Sequence, residues 1–185
     1  FYSPVPYFLG GLLLLATNDP ILTTKIFWVI PTLLLASGIY VLTRKLLKSP
    51  WIALAATALA VLAPYRAVQL FLRGSLAEAW AMGWYVWLLL GLLLLGRREK
   101  WGFTISIISA TGIILRHNIS VLLVVIPTLL FWVGIQLSQP NTRKSILENT
   151  LSLLLLAVLT LGITAFYTIP SVLEKQFTHV DQYVL

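Results

Sequence analysis

Apolar runs approaching the length of a bilayer crossing recur along the chain, at roughly 21–43, 51–63, 76–96, 101–115, 119–136 and 151–168. A hydrocarbon core about 30 Å thick takes about 20 helical residues to cross. Inside that core no water is present to satisfy backbone N–H and C=O groups, so only helices and closed barrels span it. Unbroken Leu-rich runs read as helices rather than as alternating barrel strands. Composition agrees: 59% of the residues are hydrophobic, 10% are charged, and the mean hydropathy is +0.92. The 185 residues leave room for about six spans and little else. The expected fold is all-α, a polytopic transmembrane helix bundle forming a single domain over 1–185, with short interfacial helices on its outer surface.

Charge then orients the bundle. Three loops carry clustered cations: Arg44, Lys45 and Lys48; Arg97, Arg98 and Lys100; Arg143 and Lys144. They alternate along the chain, and they hold eight of the thirteen Lys and Arg residues but only Glu99 and Glu148 among the six acids. The positive-inside tendency makes these loops cytoplasmic. This topology explains the net charge of +7 without a nucleic-acid partner, because no basic face interleaved with aromatics belongs to a soluble domain. The remaining boundaries face outward. They carry Asp19 and Lys25, a cluster from Arg66 to Glu78, Arg116-His117-Asn118, and Glu174-Lys175 with His179 and Asp181.

Two of the runs, 51–63 and 101–115, are short. At 1.5 Å per residue they reach roughly 20 Å, so they borrow flanking residues or lie beside a water-filled indentation of the outer leaflet. Pro4–Ala16 is also short for a crossing. It reads as a helix in the outer interface, part of an interfacial stretch over 1–20, with the bundle proper over 21–185. Tyr2, Tyr7 and Phe8 would anchor it at headgroup level and Asn18-Asp19-Pro20 would end it. A truncated crossing is the alternative, since the chain begins at Phe1 without a leader pattern and reads as an internal piece of a longer protein. Asp19 is placed to cap the first span, with Pro20 at its first position.

The outward cluster concentrates the polar chemistry. Pro64 opens a short helix that Gly74 can close in the left-handed conformation. On a regular helix Arg66, Gln69 and Arg73 share one stripe, with Val68, Phe71 and Leu72 opposite. Two guanidiniums on a stripe suit a phosphate or pyrophosphate, because each fork donates parallel hydrogen bonds. Snorkelling to lipid headgroups satisfies them equally. Ser75-Leu76-Ala77-Glu78 reads as a capping box for the next span, which accounts for Glu78 mainly as a cap and leaves it a weak catalytic candidate. Arg116 and His117 sit where a turn needs only Asn118; beside the arginine the imidazole could donate to phosphate or move a proton, or be satisfied by backbone carbonyls. Pro170 should kink or stop the last span. Glu174 beyond it is a second weak candidate for acid or base, more simply a solvated boundary.

Several chemistries lack their residues. With no cysteine there is neither a disulfide nor a thiolate metal site, and the two histidines are far apart in sequence, so no metal is expected. No Gly-rich phosphate loop or serine nucleophile elbow is present, and no cofactor is evident. The expected partners are membrane lipid and, through the arginines, an oxyanion such as a phosphate or pyrophosphate.

These residues also carry a resemblance. Tyr2-Ser3-Pro4-Val5-Pro6-Tyr7-Phe8-Leu9 is similar to the outer-loop segment before the second transmembrane helix of polytopic GT-C-type glycosyltransferases. Pro64-Tyr65-Arg66, Arg73-Gly74-Ser75-Leu76-Ala77-Glu78, His117-Asn118-Ile119-Ser120 and Phe166-Tyr167-Thr168-Ile169-Pro170-Ser171-Val172-Leu173-Glu174-Lys175 resemble more closely a bacterial membrane-protein family labelled "6-pyruvoyl-tetrahydropterin synthase-related". The Arg-Gly-Ser-Leu-Ala-Glu stretch is its most specific part. Pterin synthase chemistry itself belongs to a soluble zinc enzyme with clustered histidines, and nothing here supplies it. The resemblance implies a GT-C-like architecture in the bacterial cytoplasmic membrane and transfer of sugar from a polyprenyl-phosphate donor on the non-cytoplasmic face. Arg66, Arg73, Arg116 and His117 would then bind the donor phosphate, and the catalytic carboxylate would lie upstream of Phe1. The alternatives are a lipid-linked glycan flippase or transporter and a non-catalytic membrane scaffold.

Overall fold

The computed structural model describes residues 5–116, 118–138 and 143–174. Among them every regular element is helical: α1 (Val5–Thr17), α2 (Pro20–Leu47), α3 (Pro50–Val61), α4 (Pro64–Ala67), a π-helical turn (Val68–Leu72), α5 (Leu76–Gly96), α6 (Gly102–Ile114), α7 (Asn118–Leu137) and α8 (Arg143–Leu173). Helix starts follow the expected chemistry. The Asp19 carboxylate accepts from the Ile21 and Leu22 N–H groups at 2.8 and 3.1 Å, with Pro20 at the first helical position. Ser49 and Pro50 repeat the arrangement at α3, where the Ser49 hydroxyl accepts from Ile52 N–H at 3.4 Å.

Among the described residues, three helices are each long and apolar enough to cross a membrane, against about six apolar runs in the sequence. They are α2, α5 and the stretch Ser145–Leu173 of α8. A fourth crossing arises if α3 and the segment Pro64–Leu72, bent by 43° at their junction, act as one broken span. α1, α6 and Val121–Leu137 of α7 are apolar but shorter than a full crossing. The thirteen residues of α6 reach only about 20 Å, less than a hydrocarbon core on their own. α8 also runs through Pro170 to Leu173 rather than stopping before it. A proline within a turn of the helix end disturbs few of the bonds that a mid-helix proline would break.

α5 is the central element, packed by α2, α6 and α7. Leu88, Leu92 and Leu93 of α5 meet Ile113, Trp132 and Ile135 in the buried apolar core. Close approach of α5 and α6 depends on two glycines. A Cβ at Gly91 would lie 2.7 Å from the Ser106 backbone nitrogen, and one at Gly102 would lie 2.2 Å from that of Leu95. Small residues at such crossings let helix backbones approach where lipid offers no hydrophobic gain for packing.

The ends of the bundle differ in character. At one end Lys45 pairs with Glu99 at 2.6 Å, Arg97 Nη1 donates to the Lys45 carbonyl at 3.4 Å, and Arg98 pairs with Glu148. The last turn of α2, the α5–α6 turn and the first turns of α8 therefore gather at the same end, as the alternating basic loops require. α5 runs about 32 Å from there to the opposite end, where the starts of α2 and α5 meet α1 and Arg116.

Candidate functional site: a groove at the start of the central helix

A groove of about 970 Å³ opens at this second end. α1 forms one wall with Gly10, Gly11 and Leu14, and Phe27 of α2 contributes to it. The polar side comprises Tyr65, Arg73, Glu78 and Arg116. α1 is fixed against α2 by the Thr17 and Thr23 hydroxyls, which share a hydrogen bond of 2.5 Å. Asn18 makes the turn between the two helices in the left-handed conformation, at φ 51°.

The π-helical turn decides where each arginine points. Arg73 N–H bonds back to the Val68 carbonyl at 2.9 Å, five residues earlier, and Ser75 N–H reaches the Gln69 carbonyl at 3.1 Å. This wider turn breaks the regular spacing that would align Arg73 with Arg66. Arg66 is 1% exposed, and Gln69 is fully buried beside it. Its guanidinium donates to Gln69 Oε1 at 2.6 Å and to Thr32 Oγ1 of α2 at 3.0 Å. Arg66 thus ties the short helix to the bundle and does not line the groove, whereas Arg73 does; the expected stripe is split. Gly74 then closes the segment at φ +58°, as its position suggested.

The capping box is not formed either. Ser75 makes no side-chain capping bond, and its own N–H, which a box would give to Glu78, is donated to Gln69. The Glu78 carboxylate instead accepts from the Tyr65 hydroxyl and pairs with Arg73 Nη1 at 3.1 Å. Arg73 Nη1 also donates to the Tyr65 oxygen at 3.1 Å, closing a three-residue cluster on the groove's rim.

Arg116 supplies the second cation of the groove. It follows α6 in a tight turn, and its guanidinium carbon lies 4.1 Å from the centroid of Trp80. Trp80 in turn packs on Phe27, ring centroids 5.3 Å apart. This aromatic stack holds Arg116 at 6% exposure, and its Nη1 has no hydrogen-bond partner among the described residues. Burial lowers its pKa to about 10, which leaves it charged at neutral pH. Cation–π attraction offsets part of the desolvation cost, about 2 kcal/mol in desolvated geometries, but supplies no hydrogen-bond acceptor.

The groove therefore brings together Arg73, Arg116 and Glu78, and excludes Arg66. Glu174 is exposed at the end of α8 and does not line it. His117, Lys175, His179 and Asp181 lie outside the described residues. Among the described residues no group of three His, Cys, Asp or Glu is placed to hold a metal ion. The sequence pattern did not single out Tyr65, Trp80 or Phe27. The usable hint was the placement of Tyr65 and Trp80 beside Arg66 and Glu78 in a segment otherwise short of polar groups.

Chemically, the groove is lined by two guanidiniums and a carboxylate on its polar side and by an apolar wall on the other. No curated protein and no solved structure matches the chain. The model of the 6-pyruvoyl-tetrahydropterin synthase related domain, described as a membrane protein, matches residues 1–185. The apolar helices, the sorting of polar groups to the bundle ends and this match agree: the chain belongs to that family of membrane proteins.

Proposed function

We propose that the groove binds the phosphate of a lipid-linked sugar donor, and that the protein is a GT-C-like glycosyltransferase acting at the non-cytoplasmic face of a bacterial cytoplasmic membrane. The observation that carries this reading is Arg116, a nearly buried guanidinium in the groove lining whose Nη1 has no hydrogen-bond partner among the described residues. Burying a cation without an anion costs on the order of several kcal/mol. An incoming phosphate oxygen would offset that cost with a charge-assisted hydrogen bond. The glycine-lined wall of α1 leaves room for the apolar part of such a ligand beside its head.

Sidedness follows from the charge bias. If the end bearing Lys45, Arg97 and Arg98 faces the cytoplasm, the groove opens on the other side, where lipid-linked sugars are presented to acceptors. In the transfer, a general base takes the proton of an acceptor hydroxyl while that oxygen bonds the anomeric carbon. The bond from that carbon to the phosphate oxygen breaks, and lipid phosphate leaves. Arg73 and Arg116 stabilise the charge that develops on the leaving group. His117, next in sequence to Arg116, would join them. Glu78 is committed to Tyr65 and Arg73, so the base is expected elsewhere.

Binding and transfer are tested on the purified full protein in nanodiscs with a polyprenyl-phosphate-linked sugar. Arg73→Ala is expected to abolish function with expression intact, and Arg116→Gln to weaken donor binding by at least about tenfold, the loss of one charged hydrogen bond. Unchanged binding in both variants refutes the phosphate role. Donor binding without transfer, together with movement of the lipid-linked glycan across the bilayer, favours the flippase reading.

A further inference from the structure

Among the described residues that line the groove, the charged side chains are Arg73, Arg116 and Glu78. With Glu78 ionised, these three side chains carry a single net positive charge. Glu78 is also the less exposed partner of the rim pair, its side chain 15% exposed against 53% for Arg73. Its charge is therefore screened less by water than that of a surface carboxylate. Glu78 holds one edge of the Arg73 fork through Nη1, which an incoming anion must share or displace.

We infer that Glu78 sets the charge of the headgroup the groove accepts, selecting a phosphodiester-linked lipid, with one negative charge, over a diphosphate-linked one with two. The inference rests on the phosphate reading above and names the substrate class within it. A phosphodiester neutralises the net charge of these three side chains. The second charge of a diphosphate would face Glu78 at close range, and like-charge contact in a partly desolvated site is strongly disfavoured. Tyr65 holds the Glu78 carboxylate without contributing charge, so the two roles of the cluster, holding and discriminating, are separable by substitution.

The test compares a short-chain prenyl phosphoglucose with the matching prenyl diphosphoglucose, binding to the full protein in nanodiscs being measured by native mass spectrometry. Wild type is expected to prefer the phosphodiester. Glu78→Gln keeps the shape and an acceptor for Tyr65, and is expected to shift the ratio of affinities toward the diphosphate by at least about tenfold. Tyr65→Phe, which loosens the cluster without changing charge, is expected to leave the ratio unchanged. An unchanged ratio in Glu78→Gln, or an equal shift in Tyr65→Phe, overturns the inference while leaving phosphate binding intact. Failure of wild type to bind either lipid overturns the phosphate reading and this inference with it.

Discussion

Arg66 and Arg73 stand seven positions apart, yet one braces the bundle and the other faces a groove. Arg66 is buried, with its guanidinium on Thr32 and Gln69, so truncating it strands polar partners inside the fold. Arg66→Ala is expected to cost about 2–3 kcal/mol, as leaving buried neutral polar groups without a partner does, read as a lower unfolding midpoint in detergent. Arg73→Ala removes an ion pair that is half exposed on the arginine side and is expected to cost no more than about 1 kcal/mol. If both variants lose stability alike, the division of labour drawn here is wrong. The sequence marked these residues as unusual because charge is scarce around them. It did not separate them, because helical spacing presumes 3.6 residues per turn and nothing in Val68–Leu72 announces a π-helical turn. The capping box at Ser75 and Glu78 fails to form for a related reason. A capping box is a local pattern, whereas Tyr65 and Arg73 engage Glu78 across the turn.

Elements were more legible than their side-chain contacts. Asp19-Pro20 and Ser49-Pro50 mark the starts of α2 and α3 because capping and proline preference act within a few residues of chain. Gly74 closes its segment in the left-handed region for the same local reason. The packing of α5 on α6 was not legible, since a glycine in an apolar run gives no sign of what approaches it. The structure makes the requirement specific. At Gly102 an added methyl would meet the backbone of Leu94 and Leu95, which cannot yield as a side chain can. Gly102→Ala is expected to destabilise the bundle by about 1–3 kcal/mol, the usual cost of overpacking, in the same detergent melts. Gly134→Ala and Gly162→Ala, with nothing within 4 Å of the added carbon, are expected to be tolerated. Equal tolerance at Gly102 would mean that α5 and α6 do not approach as described.

For the whole molecule, alternating charge indicated which loops share an end, and the Lys45–Glu99 and Arg98–Glu148 pairs place them together. The number of crossings was less legible, because hydropathy reports apolar length and not whether a short helix shelters inside a bundle. The chain has no cysteine, so single cysteines can be introduced without background. Lys100→Cys and Ser75→Cys are expected to react with a membrane-impermeant maleimide from opposite sides of the bilayer, Ser75→Cys from outside. Labelling of both from one side would contradict the arrangement of the bundle ends. The central claim is that a lipid phosphate sits against Arg116. Solid-state NMR of the full protein with ¹⁵N-labelled arginine side chains and a bound polyprenyl-phosphate sugar measures it directly through ³¹P–¹⁵N dephasing. The account predicts a phosphorus–nitrogen distance of about 4 Å to Arg116, as a charge-assisted hydrogen bond to a phosphate oxygen requires, lost in Arg116→Gln. Dephasing that survives that substitution undiminished, or that arises only from arginines at the other end of the bundle, would contradict it.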